Sequence, residues 1–238
     1  MLDSIRSRTP RPGMSMPFYS LLLYLATCIA PCLAQTNKLF QWGFSSNSLS
    51  TSLPTCLPLP IIVKSFDPTT NSTHGTPPYY MIAFAVGGTP ITTLIGTDEN
   101  NLSWMVTHPV GSQLILSVVD ANGSAGGVPP NKMTVIAGQT TQCVTTPVST
   151  PPFTVTANVT KVLQTCQPWG FTVKGGVPPY IITLAAPNSP IVTNVTLPFG
   201  DDAFTYINRA NPDGQLMGAI SDFTGRWATG TPIVDTQG

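Results

Sequence analysis

Residues 165–180 read TCQPWGFTVKGGVPPY, and the same frame occurs once before, beginning 110 residues earlier in this chain of 238 residues. Thr55, Cys56, Pro58, Val63 and Lys64 stand at the spacing of Thr165, Cys166, Pro168, Val173 and Lys174. Pro77, Pro78 and Tyr79 then match Pro178, Pro179 and Tyr180, after a loop of twelve residues (65–76) where the later copy has three (175–177). Further on, Leu102 and Trp104 fall against Phe204 and Tyr206, Gln113 and Leu114 against Gln215 and Leu216, and Asp120 and Gly123 against Asp222 and Gly225. A repeat of about 100 residues is one small domain rather than a solenoid unit. The chain therefore reads as two related modules in tandem.

Within each copy the apolar spacing has a period near two. Leu114, Leu116 and Val118 share one face of a segment whose other face carries Gln113, Ile115 and Ser117, and Tyr80, Ile82, Phe84 and Val86 share a face of another. The runs are short and punctuated by Gly, Pro, Asn and Asp, which leaves no room for a useful helix outside the N-terminal segment. Strands are expected near 40–42, 60–64, 79–86, 91–95, 102–106, 113–119 and 133–136, and again near 159–163, 170–174, 180–185, 191–197, 203–208, 215–221 and 232–234. Short strands separated by turn signals predict an all-β chain of two tandem antiparallel immunoglobulin-like β-sandwiches after a helical signal peptide.

The run Gly175-Gly176-Val177-Pro178-Pro179-Tyr180 sits between two of these strands, with glycines free to take positive φ and prolines enforcing an extended exit. It resembles the Gly-Gly-x-Pro-Pro-Tyr hairpin of immunoglobulin-like and PKD-like repeats in surface proteins. The two-module layout is similar to a group of largely uncharacterised secreted or surface-anchored fungal proteins. That resemblance covers most of residues 40–238 and implies architecture and surface location, with no catalytic residue. Gly126 to Pro130 repeats the letters of the motif inside the first module but lies out of register with the repeat, and it is expected to be a loop.

The first 34 residues carry Arg6, Arg8 and Arg11, an apolar run from Pro17 to Leu33, and Cys32 and Ala34 where a signal peptidase inspects the chain. We expect a secretory signal cleaved before Gln35, with Met14 and Met16 as alternative starts; an uncleaved anchor is the competing reading. The domain plan is then 1–34 signal peptide, 35–144 first module, 145–153 a Thr/Ser/Pro-rich linker, and 154–238 second module. Cleavage removes Cys28 and Cys32 and leaves Cys56, Cys143 and Cys166. A Cys56–Cys143 bridge would tie the ends of the first module and stabilise it by roughly 4–5 kcal/mol in the loop-entropy model. The partner of Cys166 would fall at position 245, beyond Gly238, so Cys166 is expected to be unpaired and the second module truncated.

From Gln35 onward there are seven Lys and Arg against nine Asp and Glu, a net charge near −2. No basic patch could hold a phosphate backbone, which argues against nucleic acid as a partner. Asn71, Asn101, Asn122, Asn158 and Asn194 are each followed two residues later by Ser or Thr and are candidate glycosylation sites.

Chemistry is sparse. His74 and His108, the chain's two histidines, lie in no motif and are expected to be exposed loop residues. No His or Cys pair in the mature chain has zinc spacing, and no cofactor is expected. Asp201 with Asp202 and Asp98 with Glu99 invite a glycosidase reading. Their place in turns before a strand favours turn chemistry, with weak calcium binding behind it. Of the tryptophans Trp42, Trp104, Trp169 and Trp227, Trp104 is expected in the core; Trp169 and Trp227, near strand ends, are the candidates for stacking on a ligand, with burial the favoured reading of each. The expected function is a non-catalytic secreted or cell-surface protein acting in cell-wall association, adhesion or ligand binding, its partners cell-wall glycans or surface proteins. The alternative is a secreted carbohydrate-binding module. No membrane span is expected in the mature chain.

Overall fold

A computed structural model describes residues 40–45, 51–67, 69, 74–146 and 151–238. The expected signal peptide and residues 147–150 of the expected linker lie outside the described residues. Among the described residues sixteen strands make up the regular structure, and they divide into two sets of eight. The first set is β1 (Phe40–Phe44), β2 (Ser52–Pro54), β3 (Pro58–Ser65), β4 (Tyr79–Ala85), β5 (Ile91–Gly96), β6 (Leu102–Met105), β7 (Gln113–Val119) and β8 (Met133–Ile136). The second is β9 (Thr154–Ala157), β10 (Val162–Gln164), β11 (Pro168–Lys174), β12 (Ile181–Ala185), β13 (Thr193–Thr196), β14 (Ala203–Ile207), β15 (Gln215–Ser221) and β16 (Ile233–Gln237).

Each set forms a three-stranded and a five-stranded sheet, ordered β1-β3-β6 and β2-β8-β7-β4-β5 in the first and β9-β11-β14 and β10-β16-β15-β12-β13 in the second. Adding eight to every strand number converts one module into the other, so the duplication read from the sequence is a duplication of topology. The fold is all-β, two immunoglobulin-like sandwiches. Two strands were not expected: β2, three residues long and ending in Pro54, and β9, a Thr-Val-Thr-Ala run beside the proline-rich segment. The pairings β2–β8 and β10–β16 are parallel, in sheets that are otherwise antiparallel.

Each sandwich has its own core. In the first, Phe40, Leu59, Ile61, Leu102 and Trp104 from the small sheet meet Met81, Leu114, Leu116 and Val118 from the large one. In the second, Val155, Trp169, Phe171 and Val173 meet Ile182, Leu216, Ile220 and Val234. A third cluster lies between the modules. Ile82 and Phe84 of β4 and Ile115 of β7 pack with Ala185 of β12, Met217 and Ala219 of β15 and Ile233 of β16, so the two five-stranded sheets meet face to face. The alternation expected in β7 is therefore hidden: Ile115, on the face away from the module's own core, is 1% exposed because the other module covers it, and Ser117 is 0% exposed with its Oγ–H donated to Gly127 O of its own module.

This contact has two-fold character. The turn after β4 meets the segment leading into β16, with Gly87 N–H donating to Thr231 O at 2.8 Å and Gly230 N–H to Gly88 O at 2.9 Å. The turn after β12 likewise meets the segment leading into β8, with Val128 N–H donating to Ser189 O at 2.9 Å and Asn188 N–H to Pro129 O at 3.1 Å. Trp227 crosses the boundary, its Nε1–H bonded to Thr92 Oγ1 at 2.8 Å and its ring edge-on to Phe84. Equivalent ends of the two modules thus point in opposite directions.

Candidate functional site

Three connections share one end of each sandwich: the loop before the Pro-Pro-Tyr motif, the loop between the fifth and sixth strands, and the turn after the seventh. In the second module Ile181 pairs with Thr196 and Ser221, and Thr172 with Ala203, which brings Gly175–Pro179, Pro198–Asp202 and Asp222–Arg226 to that end. An aspartate organises it. Asp222 is 2% exposed; its Oδ2 accepts Val177 N–H at 3.1 Å and Arg226 Nη2–H at 2.8 Å, and its Oδ1 accepts Thr224 N–H at 2.9 Å and Thr224 Oγ1–H at 2.6 Å. Burial alone would raise the carboxyl's pKa, but the hydrogen bonds from Thr224, Arg226 and the backbone outweigh it and hold it at about 2.

Asp120 occupies the same place in the first module, also 2% exposed, taking the N–H groups of Thr76 at 2.9 Å, Asn122 at 2.9 Å and Ser124 at 2.8 Å. The tyrosines of the motif complete the frame, Tyr79 Oη–H donating to His74 O at 2.8 Å and Tyr180 Oη–H to Gly175 O at 2.7 Å. Burial, then the carboxylates of Glu99 and Asp120, push the Tyr79 phenol up, so it remains a donor. The repeated Asp and Tyr thus fix the geometry of the loops.

The two ends differ in what they show to solvent. In the second module Phe199 is 82% exposed, Phe223 72% and Val177 41%, and Phe223 N–H donates to Val177 O at 2.9 Å. Exposed Asp201 and Asp202 follow Phe199, and Lys174 stands at the end of β11. In the first module the corresponding loops carry the exposed candidate glycosylation residues Asn101 and Asn122. Asn71 lies outside the described residues. Asn158 and Asn194 are exposed elsewhere in the second module, their side chains bonded to Gly170 N–H at 2.8 Å and Thr183 Oγ1–H at 2.8 Å respectively. Phe199 and Phe223 fall between the expected strands and the sequence reading passes over them; the signal is a large apolar side chain set between Pro198 and Gly200, and between Asp222 and Thr224.

Other expected site residues are spent on structure. Trp169 is 0% exposed, its ring tilted against Phe171 and its Nε1–H bonded to Val159 O at 2.9 Å. With no free face it cannot stack on a ligand, because β11 turns it into the core. Trp227 is half-buried and engaged by the first module through Phe84 and Thr92. Cys56 and Cys143 form a disulfide with Cα atoms 5.6 Å apart, closing the first module across 87 residues. Cys166 is free and exposed. Cys56 and Cys166 both take left-handed backbone, with φ of 57° and 64°.

His108 is the opposite of the expected exposed loop residue. It is 4% exposed, neither ring nitrogen has a hydrogen-bond partner, and burial lowers its pKa to about 4. His74 is half-buried and lies 3.8 Å from Glu99 Oε2. Asp98 holds its own turn, its Oδ1 accepting Asn100 N–H at 3.0 Å, and Asp201 N–H donates to Pro198 O at 3.2 Å within another. Among the described residues no three His, Cys, Asp or Glu side chains gather as metal ligands, and no helix is long and apolar enough to cross a membrane.

No protein-family model matches the chain, and no curated protein matches it in sequence. Among solved structures it is similar to a two fibronectin type III domain segment of chicken tenascin, at 12% identity and a TM-score of 0.28 over 82% of this chain and 98% of that one. It is also similar to the extracellular domain of a hybrid two component system of B. thetaiotaomicron, at 11% identity and a TM-score of 0.25 over 74% of this chain and 34% of that one. Neither likeness is close enough to bear on the fold, which rests on the strand order and the cores.

Proposed function

We propose that this protein is exported and acts without catalysis at the cell surface or wall, in adhesion, wall association or ligand binding. The observation that carries the reading is the Cys56–Cys143 disulfide closing a duplicated β-sandwich, since such a bridge persists in oxidising compartments. Of the residues that could have supported catalysis, His108 lies in the interior and the Asp98 carboxylate is bonded into its own turn. The carbohydrate-binding alternative loses Trp169, one of its two expected stacking residues, to the core.

Expression of the full chain in a secreting eukaryotic host tests the reading. The expected result is protein in the medium or on the surface, with Cys56 and Cys143 resistant to alkylation until reduced and a mass that falls on enzymatic deglycosylation. Cytosolic protein with a reduced Cys56 would contradict it.

A further inference from the structure

Resting on that reading of the protein as a surface binder, we infer that the loop end of the second module, built on Val177, Phe199 and Phe223, docks a protein partner through an apolar pocket with a basic rim. Single exposed apolar residues are ordinary on a protein surface. Here two phenylalanines more than two-thirds exposed stand with Val177 on three loops brought to one end by strand register. Phe223 is bonded to Val177 through the backbone, and Val177 in turn to the buried carboxylate of Asp222. The loop that carries the Phe223 ring is therefore held by hydrogen bonds, which spares a partner the entropy of ordering it.

The first module supplies the contrast. At the equivalent end it presents Asn101 and Asn122, both exposed and both in glycosylation motifs, whereas in the second module Pro198–Asp202 and Asp222–Arg226 contain no such motif. A glycan there would shield the first end; the second is bare and apolar. The two-fold packing points them in opposite directions, so the bare end is not masked by the other.

Charge selects the partner. On the same loops the exposed carboxylates of Asp201 and Asp202 stand against the ammonium of Lys174, and the half-exposed Arg226 guanidinium is neutralised by the buried Asp222 at 2.8 Å. An acidic rim around aromatic anchors complements a pocket edged by Lys or Arg, and it opposes an anionic lipid surface.

Selection of phage-displayed random peptides on the full secreted chain tests this. Peptides with an apolar centre flanked by Lys or Arg are expected. Their binding should fall by about thirty-fold or more in the Phe199→Ser, Phe223→Ser double variant, whose unchanged melting curve shows that it is folded. Asp201→Asn with Asp202→Asn should weaken binding severalfold and flatten its salt dependence, while Val110→Ser, exposed elsewhere, should change nothing. Peptides that bind the double variant equally well, or a selection that yields none, would overturn the assignment while leaving export and disulfide formation untouched. Phe-dependent binding to phosphatidylcholine vesicles would overturn it in favour of lipid. Phe-dependent dimerisation in sedimentation would do so in favour of a second copy.

Discussion

The imidazole of His108 is buried with neither nitrogen bonded, and desolvation holds its pKa at about 4 against an ordinary 6.5. Between those values the unfolded chain takes up a proton that the folded chain refuses, so stability falls as pH drops from 6.5 to 4 and levels off below. The shift corresponds to roughly 3 kcal/mol. His108→Leu should abolish that slope in denaturant titrations without lowering stability at pH 7, because it removes a buried polar group that has no partner. A slope that survives the substitution would refute the assignment. Asp222 acts in another window. Its depressed pKa makes its contribution complete above about 4 and lost as pH falls towards 2. Asp222→Ala should cost about 2–4 kcal/mol in chemical denaturation, since it leaves the N–H groups of Val177, Thr224 and Arg226 without their acceptor. At this scale the sequence was legible where a residue recurred, as Asp120 and Asp222 do, and misleading where it did not. Nothing local distinguishes a buried His108 before Pro109 from an exposed one.

Among the elements, β4, β7, β12 and β15 are buried on both faces, which is why their sequences carry apolar residues in unbroken runs such as Leu114-Ile115-Leu116. That run was the available sign that a second surface covered the sheet. It was read as simple alternation because a lone sandwich exposes one face of each sheet. The strands that escaped notice have physical reasons too. β2 is three residues held by parallel pairing to β8, a partner some 80 residues away that leaves no local pattern. Two substitutions separate the faces of these strands. Gly218 on β15 lies against the Phe171 ring, which an added methyl group would meet at 2.5 Å. Gly218→Val should therefore cost at least 1–3 kcal/mol by overpacking the second core. Phe84→Ala removes a ring that is 0% exposed and serves the contact between modules, and should cost about 3–5 kcal/mol. If Phe84→Ala proved neutral in calorimetry, the face-to-face packing would be wrong.

For the molecule as a whole, the duplication was legible and the way its copies pack was not. Sequence distance separates Gly88 from Gly230 and Val128 from Ser189, and only the folded chain brings these pairs together. Their packing turns two tandem modules into one body with two unlike ends. Reduction of Cys56–Cys143 should lower the midpoint of thermal unfolding, with a stability loss of roughly 4 kcal/mol, because a loop of 87 residues is released in the unfolded chain. The face-to-face pairing is tested most directly by small-angle X-ray scattering on deglycosylated residues 35–238. A compact body of this length has a radius of gyration of about 17 Å, whereas two modules of about 13 Å each held end to end would give about 24 Å. The packing of the two five-stranded sheets predicts a value near the first, and a value near the second would contradict it.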